Sequence, residues 1–144
     1  MQDRHYMEQA LALAQEAAKE GEVPVGCVIV RRGEVVGTGR NRREGAKNAL
    51  GHAEIEAIHD ACSRLGGWRL WDCTLYVTLE PCPMCAGAIV NARIPRVVYG
   101  ASDPKRGFSM FSPSLMHPKT QVVSGVLADE CSTLVTEFFR NKRG

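Results

Sequence analysis

The chain alternates between two hydrophobic periods. From about Asp3 to Glu20 the apolar positions Tyr6, Met7, Ala10, Leu11, Leu13, Ala14 and Ala17 recur at helical spacing. Asp3 can cap this helix and Gly21 ends it. Val25 to Val30 is a near-continuous apolar run, the pattern of a strand buried on both faces. Arg32-Gly33-Glu34 then turns the chain into a second strand, Val35 to Asn41, closing a hairpin. A polar loop leads to a helix over about Ala53 to Leu65, stopped by Gly66-Gly67. β-Branched and aromatic content makes Cys73 to Thr78 a strand. Pro83 opens a third helix that ends near Ala92, because a proline in the first turn forfeits only an N–H that would be unpaired anyway. Arg96 to Tyr99 reads as a short strand, 101–120 as a loop rich in Ser, Pro, Phe and Met, and Gln121 to Ser124 as a last strand. An amphipathic helix, Leu127 to Arg140, follows. Alternating strands and helices predict an α/β fold with a five-stranded mixed sheet between helices. Neither a repeat nor a linker divides the chain, so residues 1–144 are expected to form one domain.

Composition narrows the function. The 144 residues suffice for a real core, and a balance of 44% hydrophobic to 24% charged residues is ordinary for a globular protein. No run approaches the roughly 18 apolar residues of a membrane span, and no secretory h-region follows the N-terminus. Of six cysteines only Cys82 and Cys85 are closely spaced. Cys27, Cys62, Cys73 and Cys131 lie scattered in apolar stretches and are expected as buried free thiols, which fits a reducing cytoplasm. The net charge of +2 is too small to declare a nucleic-acid binder. Basic residues nonetheless cluster at Arg31-Arg32, at Arg40, Arg42 and Arg43, at Lys105-Arg106, and at Arg140, Lys142 and Arg143. Each cluster alone reads as a solvated face; several around one pocket would read differently.

The chemistry lies in two short strings, His52-Ala53-Glu54 and Pro81-Cys82-Pro83-Met84-Cys85. One imidazole and two thiolates supply three zinc ligands and leave the fourth tetrahedral position open, as in a catalytic rather than a structural site. Both strings fall at predicted helix starts, where the helix dipole and free N–H groups favour thiolate over thiol. A lone Cys-x-x-Cys could be a redox pair or half of a four-ligand site. The redox reading leaves His52-Ala53-Glu54 unexplained, and the four-ligand reading lacks a second ligand pair. Glu54 precedes an apolar turn, Ile55, Ala57 and Ile58, so it should be buried beside a metal-activated water, placed to move protons. His5, His59 and His117 have no such context and are expected at the surface.

With these strings the sequence resembles the zinc-dependent cytidine/nucleotide deaminase superfamily and, within it, the tRNA adenosine deaminases. The closer likeness rests on Gly21-Glu22-Val23-Pro24-Val25-Gly26, on Asn41-Arg42, on the segment from Thr74 through Cys85 to Ala88, and on Arg96 to Ala101 with Asp103. It reappears in Gly125 to Cys131 and in Phe138-Phe139-Arg140. The resemblance implies a cytidine-deaminase-like three-layer α/β/α fold and one Zn2+ per chain. It implies conversion of the wobble adenosine of a tRNA anticodon to inosine, zinc-bound hydroxide attacking C6 while Glu54 shuttles the proton. It places Asn41 and the backbone N–H of Ala53 on the base edge and Val25 on the base face. Asp103 falls at the ribose or adjoining backbone, and Lys105, Arg106, Phe139 and Arg140 at neighbouring nucleotides. Taken alone, Asn41 is also an ordinary strand-end turn residue. The base must leave its stack, so an anticodon loop, already single-stranded, is the cheap target. A homodimer is implied as well, with the region after the zinc helix reaching the partner's RNA groove.

One segment departs from the resemblance. Pro113 interrupts any helix within 107–120, and Met116-His117 stands where the resemblance leads to an Asn-His pair. Two other readings are therefore carried. A deaminase of free nucleosides or bases (guanine, adenosine or cytosine) would need an aromatic lid, which Phe108 or Phe111 could form. A zinc-bearing module that only holds RNA would have no use for Glu54.

Overall fold

A computed structural model describes residues 2–111 and 114–143; Pro113 and the side chain of Arg143 lie outside what it describes. The elements run α1 (Gln2–Lys19), β1 (Gly26–Arg31), β2 (Glu34–Arg40), α2 (Ala53–Leu65), β3 (Cys73–Leu79), α3 (Pro83–Asn91), β4 (Arg96–Ala101), β5 (Gln121–Val123) and α4 (Ala128–Arg143). The predicted α/β class and five-stranded mixed sheet are found, in the order β2-β1-β3-β4-β5. β1 is antiparallel to both β2 and β3, whereas β3, β4 and β5 run parallel. The predicted loop 101–120 also holds a 3-10 turn, Phe108–Met110. Among the described residues no helix is long and apolar enough to cross a membrane.

The period-2 alternation of the strands builds the layers. Cys27, Ile29, Leu75, Val77, Val97 and Tyr99 face α2 and α3, in one core with Ala53, Ala57, Ala86 and Ile89. Val28, Val30, Tyr76 and Val98 face the opposite way, in a second core with Tyr6, Met7, Ala10 and Cys131 of α1 and α4. Burying each such aliphatic side chain contributes about 1.5–3 kcal/mol.

Two local devices set where the site forms. Ala53, Ala57 and Ala61 make a small-residue stripe on α2, and Gly37 and Gly39 of β2 lie beneath it. A Cβ on either glycine would collide with the α2 backbone, so helix and strand meet at a spacing only these residues allow. The start of α2 is thereby drawn down onto the end of β2. Gly66, at φ 72°, closes α2 by donating its N–H to the Cys62 carbonyl.

Asp3 differs from its expected role. It lies inside the first turn of α1 rather than before it, and its carboxylate is claimed from across the fold. The Tyr76 hydroxyl donates to it at 2.8 Å, and two Arg96 nitrogens donate at 2.9 and 2.7 Å. That fork ties α1 to β3 and β4. All six cysteines are free; Cys27, Cys73 and Cys131 are buried as expected, but Cys62 only partly.

Candidate active site

His52 and Cys82 occupy the N-cap positions of α2 and α3, both in extended backbone conformation, with Pro83 opening α3. Neither side chain caps its own helix. Both turn instead toward a common point. His52 Nδ1 lies 3.6 Å from Cys82 Sγ and 3.5 Å from Cys85 Sγ, and the three ligand atoms fall within 4.8 Å of one another. A tetrahedral zinc, about 2.0–2.1 Å from nitrogen and 2.3 Å from sulfur, sets an N···S edge of about 3.6 Å. The residues therefore fit zinc in spacing as well as in donor type.

Proton affinities across the triad follow the same geometry. A hydrogen bond from the Cys85 thiol, helped by His52, lowers Cys82 to about 3 against the opposing effect of burial. Cys85 is pushed far up by that hydrogen bond and by burial, and His52 is raised by its contact with Cys82. The pocket thus gathers a thiolate together with protons that a bound cation would displace. Glu54, one residue inside α2, is only 4% exposed, and burial pushes its carboxyl up to about 7 while its own backbone N–H and His52 oppose the rise. The expectation that this glutamate is buried next to the ligands is met.

Asn41 follows β2 directly and is buried. Its backbone N–H donates to the Val25 carbonyl at 3.2 Å, and its Oδ1 accepts the Ala53 N–H at 2.9 Å. The Ala53 donor fixes which way the amide is turned and leaves the Asn41 NH2 as the free donor. The Ala53 N–H, expected on the base edge, is thus already committed to Asn41. Val25, Asn41, Ala53 and Glu54 are brought into one neighbourhood with the three ligands.

Asp103 lies past the end of β4, and Oδ1 of its carboxylate accepts the backbone N–H groups of Lys105 (3.0 Å) and Arg106 (3.1 Å). Those two side chains are exposed. Phe139 and Arg140 are exposed on α4, in the layer across the sheet from the ligands, where the end of that helix lies beside Ala18 and Gly21. The basic clusters separate into two kinds. Arg31 and Arg32 pair with Asp72, Arg40 with Glu16 and Glu20, and Arg42 with Glu56. Lys105, Arg106 and Arg140 make no ion pair among the described residues. His5, His59 and His117 are exposed as expected.

Of the two aromatic residues that could cover the pocket, Phe108 is buried, packed edge-on to Tyr99 at 6.1 Å, and Phe111 is exposed.

Two residues left without a role by the sequence belong to the same neighbourhood. Glu22 and Glu80 are each only 4% exposed. Glu22 accepts the backbone N–H groups of Glu44 and Gly45 at 3.2 and 2.7 Å, and Glu80 those of Asp103 and Ser109 at 3.0 and 2.9 Å. The signal for Glu80 is a charged residue that ends an apolar strand immediately before Pro81-Cys82.

Comparison with known proteins agrees with this geometry. The MafB19-like deaminase family matches residues 1–143. A tRNA-specific adenosine deaminase of Bacillus subtilis is 46% identical over 147 aligned positions, covering 99% of this chain and 91% of that protein. A solved structure from a study of A-to-I editing by tRNA:A34 deaminases at the wobble position of transfer RNA is 44% identical, with a TM-score of 0.84 over 90% of this chain and 98% of the other. A guanine deaminase from Bacillus subtilis superposes less fully, at 41% identity and a TM-score of 0.65 over 68% of this chain and 63% of that one.

Proposed function

This chain belongs to the deaminase family, and from that premise we propose that it hydrolyses the wobble adenosine of a tRNA anticodon to inosine, releasing ammonia. The observation that carries the reading is the convergence of His52, Cys82 and Cys85 beside buried Glu54, in a chain alike along its whole length to tRNA-specific adenosine deaminases. His52, Cys82 and Cys85 would hold one zinc, which when bound lowers the pKa of a coordinated water toward about 7 and so supplies the nucleophile.

Every other task falls to the protein. Glu54 accepts one proton of the attacking water and delivers it to adenine N1. It then takes the remaining proton from the oxygen now bonded to C6 and passes it to the amine, which leaves as ammonia as the C6–N bond breaks and the C6 carbonyl forms. Its burial keeps bulk water from competing for that proton. The Asn41 NH2 hydrogen-bonds the purine, its orientation held by the Ala53 N–H, and Val25 packs on the ring. Asp103, Lys105 and Arg106 meet the ribose-phosphate around the reacting nucleotide, and Phe139-Arg140 a more distant one. A single-stranded loop presents its base at small unstacking cost. The same reading carries a single catalytic domain over 1–144, a homodimer and a cytoplasmic location.

The decisive assay incubates the protein with an anticodon stem-loop RNA and, separately, with free adenosine, cytidine, adenine, cytosine and guanine. Inosine at the wobble position with stoichiometric ammonia is expected. Ammonia from free nucleosides or bases alone would overturn the tRNA substrate and leave the zinc chemistry standing.

A further inference from the structure

The loop beyond β4 is anchored to the core by Phe108, but the residues before it, Asp103, Lys105 and Arg106, need a separate hold if they are to be presented in a fixed shape. The structure assigns that task to Glu80: we infer that it is a positioning residue for RNA binding, its buried carboxylate latching the segment 103–110 to the turn that carries Cys82.

The hydrogen bonds of the segment support the assignment. Glu80 Oε1 accepts the Asp103 N–H at 3.0 Å, and Oε2 accepts the Ser109 N–H at 2.9 Å, so a single carboxylate spans both ends of the segment. Between them, the Gly107 N–H donates to the Asp103 carbonyl at 3.0 Å, and the Phe108 N–H donates to the Pro81 carbonyl at 2.9 Å. Asp103, once held, shapes the next turn through the Lys105 and Arg106 N–H groups. The order of control is thus Glu80, then Asp103, then the two cations.

Gly107 completes the latch. A Cβ at that position would overlap the carboxylate carbon and both oxygens of Glu80. The main chain therefore passes so close over the carboxylate that a side chain at residue 107 would force Glu80 to shift out of its present position. This is a steric need at residue 107 that the sequence gives no reason to suspect, since its φ lies outside the left-handed region.

A carboxylate in this place does what a carboxamide cannot. Both oxygens of Glu80 accept. Glutamine offers one acceptor and one NH2, so one of the two part-buried N–H groups would face another donor. A donor left facing another donor loses its partner and is penalised for it. That penalty falls on the shape of the loop, and the metal ligands are untouched.

The inference rests on the proposed RNA substrate, and its test separates the two. Wild type, Glu80→Gln, Gly107→Ala and the double variant are each loaded with zinc and assayed on the anticodon stem-loop, and amide hydrogen exchange is followed at Asp103 and Ser109. Each single variant is expected to raise KM for the RNA about tenfold, with kcat within about threefold and zinc still one per chain. Exchange at both amides should accelerate by about tenfold or more. The double variant should be no worse than either single one, because both break the same latch; unrelated structural defects would add. Additive effects, a fall in kcat with unchanged KM, or unchanged exchange would each overturn the positioning role. If Glu80→Gln does not fold, Gly107→Ala decides the matter, since it leaves the carboxylate in place. A wild type inactive on RNA would defeat the substrate reading, and the exchange data would still decide whether the latch exists.

Discussion

The His52, Cys82 and Cys85 cluster and the loop beyond β4 are neighbours held by different kinds of interaction. His52, Cys82 and Cys85 converge through their side chains, from the starts of two helices that the sheet has already fixed. Residues 103–110 are held through backbone N–H groups received by a buried carboxylate, with a glycine admitted where any side chain would collide. The first arrangement depends on residue identity at three positions. The second depends on close approach of main chain to a carboxylate. Glu22 shares part of the second arrangement: its buried carboxylate receives the N–H groups of Glu44 and Gly45 in the loop between Asn41 and His52, with no such clash at the glycine. Two loops are thus each pinned by a buried glutamate.

If the two regions are held so differently, damage to them should differ in kind. The largest effect is expected from Cys85→Ser. Zinc per chain, measured by atomic spectroscopy, should fall from about one to below about one tenth, with turnover reduced by about 10^4-fold or more, as when a working unit loses one member. Full occupancy in that variant would remove Cys85 from the ligand set. Next in size is Glu54→Gln, where zinc should stay bound while kcat falls by roughly 10^2 to 10^4, the usual range for a general acid–base group. Near-normal turnover with zinc in place would end the proton-shuttle role.

How much of this contrast the sequence carries follows from the kinds of interaction involved. Side-chain identity at fixed spacing is written directly in the chain, so the convergence of His52 with Cys82 and Cys85 can be expected before any fold is known. The strands are equally legible, because Cys27 and Ile29 alternate with Val28 and Val30 between two cores. Features that depend on long-range approach of backbone are not legible. Gly107 beneath Glu80, and Gly37 and Gly39 beneath α2, have no local signature, since the need for glycine arises from an element distant in sequence. The role of Asp3 is hidden for the same reason. A helix-start aspartate is an ordinary cap, and only the folded sheet brings Arg96 and Tyr76 to it. Phe108 belongs to the same group: an aromatic residue in a long loop has two fates, and the Tyr99 ring that decides for burial is invisible from the loop itself.

The rim should answer to salt where the centre does not. Lys105→Ala with Arg106→Ala removes two exposed cations that make no ion pair among the described residues. KM for the stem-loop is expected to rise roughly three- to tenfold at moderate salt, with kcat little changed. The slope of log affinity against log salt should fall by about 0.7 for each phosphate no longer neutralised, as for single strands. An unchanged salt slope would place the RNA elsewhere on the surface.

The smallest effect should come from a pair outside both regions. Arg96 and Tyr76 hold the Asp3 carboxyl below its ordinary value, the guanidinium contributing most. A lowered folded-state pKa means the pair stabilises fully above the unfolded carboxylate pKa of about 3.9 and loses its contribution as pH falls through the lowered value. Both partners are about one quarter exposed, so solvent screening limits the contribution to about 1 kcal/mol despite the forked geometry. Asp3→Asn should therefore lower unfolding stability by about 1 kcal/mol at neutral pH, and the gap from wild type should close on acidification below about pH 3. Denaturant titrations at several pH values, read beside zinc content and RNA KM, provide the check. The variant should leave zinc and KM where they were. A change in either would mean that the α1 layer reaches into the centre or the rim, and that the two are less separable than their hydrogen bonds suggest.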